Sequence, residues 1–168
     1  TRLERIESLP LLRELHAEHG HLHEIIVQNF RAKAETQMEN AEEPDLQELL
    51  WTIAMARIIF GAHMNVQAPP NLSPGVLQQI VAAGINDWGG VSPVAADFVN
   101  PEAPWPHLQD LADETAAAGK LLIERLAIYP AYAMDTNRWM DDGLSSAVLG
   151  KIDGQGFAST ELWSAGAV

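Results

Sequence analysis

Cysteine is missing from all 168 residues. That excludes disulfides, thiolate zinc sites and iron–sulfur ligation by this chain alone. Positive charge is scarce as well: 10 Lys and Arg face 23 Asp and Glu, for a formal net charge of −13. Such a surface does not displace the counterions of a nucleic acid, and an anionic membrane repels it. Neither a nucleic acid nor a membrane is therefore expected as a partner. No apolar run approaches the ~20 residues of a transmembrane helix, and no signal peptide is visible. A cytoplasmic location is the expectation. No Met precedes Thr1, which already opens what reads as a helix, so the chain is expected to be a piece of something longer.

Apolar residues are plentiful, at 47%, and allow a sizeable core. Their spacing repeats one unit: a helical stripe, a Gly, then a short strand-like run. The first helix carries Leu3, Ile6, Leu12 and Leu15, with Pro10 expected to kink or split it, and stops at Gly20 before the run Glu24 to Phe30. The second starts near Pro44 and Asp45 and ends at Gly61, before Met64 to Gln67. The third is expected to start with Ser73 as cap and Pro74 in the first turn, and ends at Gly84 before Ile85 to Trp88. The fourth runs from about Pro106 to Gly119 and leads into an expected fourth strand, Leu121 to Tyr129. Short apolar runs with little alternation suit a parallel sheet buried on both faces, and alternating helices and strands make an α/β fold. Periodicity alone leaves half of an eight-fold barrel and an open doubly wound sheet nearly even.

In either fold, ligands bind beyond the carboxyl ends of the strands. Polar residues gather at those points. Gln28 and Asn29 close the first strand, ahead of Arg31 and Lys33; Gln67 closes the second and leads to Asn71; Asn86, Asp87 and Trp88 close the third, before Gly89 and Gly90. Glu124 and Arg125 lie in the fourth run. Amides both donate and accept, which suits a ligand with mixed hydrogen-bonding groups. Paired glycines allow a backbone to approach a ligand closely. The plainer reading is that polar residues and Pro are common wherever strands become loops. The histidines His16, His19, His21 and His23 crowd the first Gly beside Glu24, but they precede the strand and read as a solvated or capping cluster. The acidic stretch Glu35 to Asp45 reads as a solvated loop, and Trp51 and Met55 as core. No Ser-His-Asp or Cys-His arrangement and no phosphate-binding Gly-Lys-Ser motif is present.

Four segments carry more than a pattern: IVQNFRAK at 26–33, MNVQAPPNL at 64–72, GINDWGGVSP at 84–93 and VNPEAPWP at 99–106. Together they resemble the ring-closing half of the FO synthase family, from Thr1 to about Tyr132. The resemblance implies a radical S-adenosylmethionine enzyme on a TIM-type (β/α) barrel. Residues 1–133 would be the C-terminal half of that barrel, with its last four parallel strands and their helices, and 134–168 a C-terminal extension or linker. It implies S-adenosylmethionine and a 4Fe–4S cluster as cofactors, the cluster ligands lying in a missing N-terminal half. The implied substrate is a tyrosine-derived ribityl-diaminouracil adduct, whose deazaflavin ring is closed with loss of ammonia. Gln28, Asn29, Arg31, Gln67, Asn71, Asn86 and Trp88 become candidates for holding substrate or S-adenosylmethionine. Asp87 becomes the candidate catalytic residue, for a hydroxyl, an amine or a proton; its alternative is a carboxylate that caps the turn. No residue is expected to hold a metal. One departure is Ala34-Glu35, where the family has Pro-Gly. The competing readings are a non-catalytic binding or scaffold module derived from such a barrel, and an iron-free TIM-barrel lyase. A Cys-x-x-x-Cys-x-x-Cys loop upstream of Thr1 would favour the radical enzyme.

Overall fold

The computed structural model describes residues 1–92 and 94–159. Its contacts divide the chain into two compact units, Thr1–Leu121 and Leu122–Val168. The first unit holds the sheet. Helix α1 (Arg2–His19) opens with a capping box, in which the Glu4 amide donates to the Thr1 hydroxyl and the Thr1 amine to the Glu4 carboxylate. It runs unbroken through Pro10 and ends at Gly20, whose left-handed φ of 70° lets its N–H return to the His16 carbonyl. Proline removes one helical hydrogen bond, and here that loss does not break the helix. Strand β1 (Glu24–Ile26) follows, then α2 (Leu46–Phe60), which starts where expected and is capped by the Asp45 carboxylate.

Strand β2 (Asn65–Ala68) lies between β1 and β3 (Asp87–Trp88) in a parallel three-stranded sheet. Its register sets Ile26 beside Gln67 and Gln67 beside Asp87. The α/β class and the order of the three strands agree with the sequence, but β1 stops at Ile26, so Gln28 and Asn29 follow the strand instead of closing it. The core is Ile53 and Ala56 of α2, Val66 of β2 and Ile80 of α3 (Leu77–Ala83), all fully buried. Helix α4 (Leu108–Ala117) completes the unit.

Three local expectations are corrected. Ser73 is no helix cap: Gly75 takes a φ of 80°, so α3 begins only at Leu77, and the buried Ser73 hydroxyl instead pairs with the Asn29 side chain at 3.1 Å. The run Leu121 to Tyr129 forms no strand, and Leu121 and Ile123 are 79% and 49% exposed. A strand is completed by its neighbour's ladder, and β3 presents only two residues. Trp51 and Met55 are half-buried rather than core, and the guanidinium groups of Arg2 and Arg5 lie over the Trp51 ring at 4.8 and 5.4 Å.

Among the described residues of the second unit, short helices α5 (Pro130–Ala133), α6 (Thr136–Trp139) and α7 (Asp142–Leu149) precede an antiparallel bridge between Ile152 and Ala158. Tyr132 meets Trp139 edge-on at 4.9 Å, and the Arg125 guanidinium lies 3.9 Å from the centre of the Tyr129 ring. Among all described residues, no helix is long and apolar enough to cross a membrane.

Candidate functional site

The chain leaving β2 is buried without interruption from Val66 to Ser73. Pro70, Asn71 and Leu72 form a single 3₁₀ turn there. This turn is the floor of a cleft of about 660 Å³, whose walls include Arg31, Glu43, Glu102 and Trp105. The cleft thus begins at the carboxyl end of the central strand, where an α/β sheet places its ligands.

Hydrogen bonds and ion pairs hold the walls in place. Arg31 donates to the Glu43 carboxylate at 2.8 Å and to the Leu72 carbonyl at 2.9 Å. Glu43 also accepts the Ala32 amide at 2.8 Å, so this member of the acidic stretch closes a loop instead of standing free in solvent. The hydrogen bond from Arg31 holds the Glu43 carboxyl below the usual carboxylate range. Lys33 forms an ion pair with Glu102 across the rim, and its hydrogen bond lowers the pKa of Glu102 likewise.

Asn71 is 4% exposed. Its Nδ2 donates to Asp97 Oδ2 and to the Ala103 carbonyl, each at 2.9 Å. Both partners accept only, which fixes which end of the amide is nitrogen. Its Oδ1 is buried and has no hydrogen-bond partner among the described residues. Asp97 also accepts the backbone amides of Val99 and Asn100 and the Asn100 side chain, at 2.9 to 3.0 Å. These donors, the Asn100 side chain and amide first, push the Asp97 carboxyl down to about 2.

The pleat sorts the remaining candidates. Successive strand residues face opposite sides of a sheet. Trp88 therefore faces the helix side, while Asn86 lies just ahead of the strand. Asn86 Oδ1 accepts from Arg57 of α2 and from the Val66 amide at 2.7 and 2.8 Å, and Trp88 Nε1 donates to Thr115 of α4 at 3.0 Å. Neither side chain lines the cleft. Asp87 and Gln67, register partners, share the opposite side, where Gln67 Nε2 lies 3.3 Å from Glu24 Oε2. Gln28 is exposed beyond β1, and Asn29 reaches the floor only through Ser73. The structure thus brings together Asn29, Arg31 and Asn71, keeps Gln67 with Asp87 as a separate pair, and turns Asn86 and Trp88 away.

Asp97, Glu102 and Trp105 were not foreseen as site residues. One signal was legible: an Asp ahead of a short turn-forming stretch accepts backbone amides two and three residues on, as Asp97 does. Gly89 and Gly90 make room for side chains of the protein itself, Gln67 and Trp105. A Cβ at Gly89 would lie 2.2 Å from Gln67 Oε1, and one at Gly90, whose φ is 70°, would lie 3.2 Å from the Trp105 ring.

Fold and cleft together define an α/β protein with a cleft at the carboxyl end of a parallel sheet. Its relatives carry a name. The chain is 45% identical over 157 residues to the FO synthase of Nocardia farcinica, covering 91% of itself and 18% of that protein. It is 44% identical over 151 residues to the FO synthase of Mycobacterium tuberculosis, again covering 18% of that protein. Against the 7,8-didemethyl-8-hydroxy-5-deazariboflavin synthase of Methanopyrus kandleri it is 45% identical over 155 residues, which is 92% of the chain and 46% of the relative. By sequence the chain is a relative of the FO synthases, and it spans less than half the length of each of these three. No family model matches the chain. No solved structure matches it.

Proposed function

We propose that this chain is part of a radical S-adenosylmethionine enzyme that closes the deazaflavin ring in FO biosynthesis, acting on a tyrosine-derived ribityl-diaminouracil adduct. The observation that carries this reading is identity of about 45% along some nine-tenths of the chain to proteins named FO synthase. The three-stranded parallel sheet is the architecture expected of a portion of a TIM-type barrel. An N-terminal half of that barrel is then the chain's first partner, and the cytoplasm its location.

The iron–sulfur cluster does not fit these residues, because the chain has no cysteine. Its ligands belong to the N-terminal half. S-adenosylmethionine and the adduct do fit the donor set of the cleft. Both carry N–H and O–H groups, and the buried Asn71 Oδ1 is an acceptor without a partner among the described residues. When bound, the cofactors supply hydrogen-atom abstraction; the protein contributes binding, orientation and exclusion of water. Asn71 would accept a ligand donor. The Trp105 ring, with Pro70, Leu72 and Pro104, would give a flat apolar wall to an aromatic ring. Asp87 would bind an amine or hydroxyl from the face of the sheet that it shares with Gln67.

The test uses the full-length enzyme after iron–sulfur reconstitution. Anaerobic incubation with the adduct and S-adenosylmethionine should give FO, detected by its fluorescence, together with 5′-deoxyadenosine. Absence of both products from a cluster-replete enzyme would refute the reading.

A further inference from the structure

Asn71 poses a question that its hydrogen bonds answer only in part. Burying an amide oxygen without a partner costs roughly 1–3 kcal/mol, so such atoms are rare in folded proteins. The orientation of this amide is nevertheless fixed. Nδ2 sits between two acceptors, Asp97 Oδ2 and the Ala103 carbonyl, both at 2.9 Å. Rotating the amide by half a turn would set Oδ1 against a carboxylate and a carbonyl, replacing two attractions by two repulsions. Asp97 stays ionised through the physiological range because it accepts two backbone amides and the Asn100 side chain besides.

We infer that Asp97 is a positioning residue: it locks the Asn71 amide so that Oδ1 accepts a hydrogen bond from an N–H or O–H group of a ligand in the cleft. This rests on the proposed function for the identity of the ligand. The chemistry of the wall selects the same class. Carboxylates of Glu43 and Glu102 line the cleft, and the one guanidinium among its described lining residues, that of Arg31, is already committed to Glu43 and to the Leu72 carbonyl. A phosphorylated ligand would meet acceptors and negative charge. A hydroxylated chain, a uracil N–H or an ammonium meets what it needs. The donor thus comes from the ribityl-diaminouracil moiety or from S-adenosylmethionine.

Asp97→Asn separates positioning from a structural role. Asparagine keeps the turn, because its oxygen still accepts the Val99 and Asn100 amides. Its NH₂ then faces Asn71 Nδ2, donor against donor, and the lock is lost. Asn71→Ala removes the acceptor itself, and Asn71→Ser retains a small polar group should the alanine variant unfold. In the full-length enzyme, binding of ribityl-diaminouracil and of S-adenosylmethionine is measured separately by calorimetry, with thermal unfolding as the folding control. Each single variant should weaken one of the two probes about 10-fold or more, and the probe affected identifies the donor. In the double variant Asp97→Asn with Asn71→Ala, binding should be no weaker than in Asn71→Ala alone, because Asp97 acts through Asn71. Unchanged affinity for both probes, or additive losses in the double variant, would overturn the inference. If the wild-type enzyme binds a probe in this pattern yet makes no FO, the proposed reaction fails and the role of Asp97 stands.

Discussion

The Arg57 guanidinium makes four hydrogen bonds within the sheet unit, and replacing it tests the packing argument directly. Its Nε donates to the Gly84 carbonyl, Nη1 to the carbonyls of Gly61 and Met64, and Nη2 to Asn86 Oδ1, all at 2.7 Å. One side chain thus ties the C-terminus of α2, the entry to β2 and the C-terminus of α3. Burial pulls its pKa below the ordinary guanidinium value, yet it remains charged at any ordinary pH. Arg57→Met keeps most of the aliphatic stem, which passes so close to Gly84 that a Cβ there would lie 3.0 Å from it. It removes every donor. Two of the acceptors, the carbonyls of Gly84 and Met64, are partly buried and lose their partner; Gly61 and Asn86 are open to water and count for little. At about 1.5 kcal/mol for each partly buried bond from a charged donor, the loss is about 3 kcal/mol, or roughly 6–12 °C in Tm. Arg57→Lys should retain roughly half of this, because one ammonium cannot span the acceptors on both sides of the fork. Thermal unfolding by circular dichroism at a single protein concentration measures both. An Arg57→Met variant within about 0.5 kcal/mol of wild type would refute the claim that these bonds hold the sheet to its helices.

Three further outcomes are expected. Glu35 has a φ of 63°, the one positive value among the described non-glycine residues, at the position where the resembled family carries Gly; Glu35→Gly should raise stability by about 0.5–1 kcal/mol, and an unchanged or lower Tm would count against backbone strain there. Asp97 has a folded pKa of about 2, below its ordinary 3.8, so it stabilises the fold above the ordinary value and that contribution is lost as pH falls through this window. The difference in denaturation midpoint between wild type and Asp97→Asn should therefore shrink between about pH 4 and about pH 2, and a difference that persists at the acid end would show that ionisation is not its source. In the full-length enzyme Asp87→Asn should lower single-turnover product formation by about 100-fold while the circular dichroism spectrum is kept. Near-normal turnover would remove Asp87 from the chemistry.

Features set by a few neighbouring residues were legible in the sequence. Gly20, Gly61 and Gly84 end their helices, and Asp45 caps α2, because caps depend on local backbone and side-chain hydrogen bonds. The three strands lie where short apolar runs follow those glycines. The run Leu121 to Tyr129 has the same composition and forms no strand, since composition does not supply a partner. The site divides in a similar way. Asn71 and Arg31 line the cleft because they follow their strands closely. Asn86, Asp87 and Trp88 are consecutive and read as the close of one strand, but the pleat separates Trp88, bonded to α4, from Asp87, which shares a face with Gln67, and Asn86 precedes the strand and bonds Arg57.

Gly89 and Gly90 show where such reasoning runs out. A missing side chain says that something comes close to the backbone, and the sequence invites the guess that a ligand does. The fold gives a different neighbour at each position. The Gln67 side chain lies over Gly89, and the Trp105 ring lies over Gly90. Trp105 comes from a loop with no periodicity to announce it, yet it is a wall of the cleft. The glycine pair therefore shapes the site indirectly: it lets a distant aromatic ring settle beside the third strand, and that ring, together with the locked Asn71 amide, sets the form of the space that a ligand would enter.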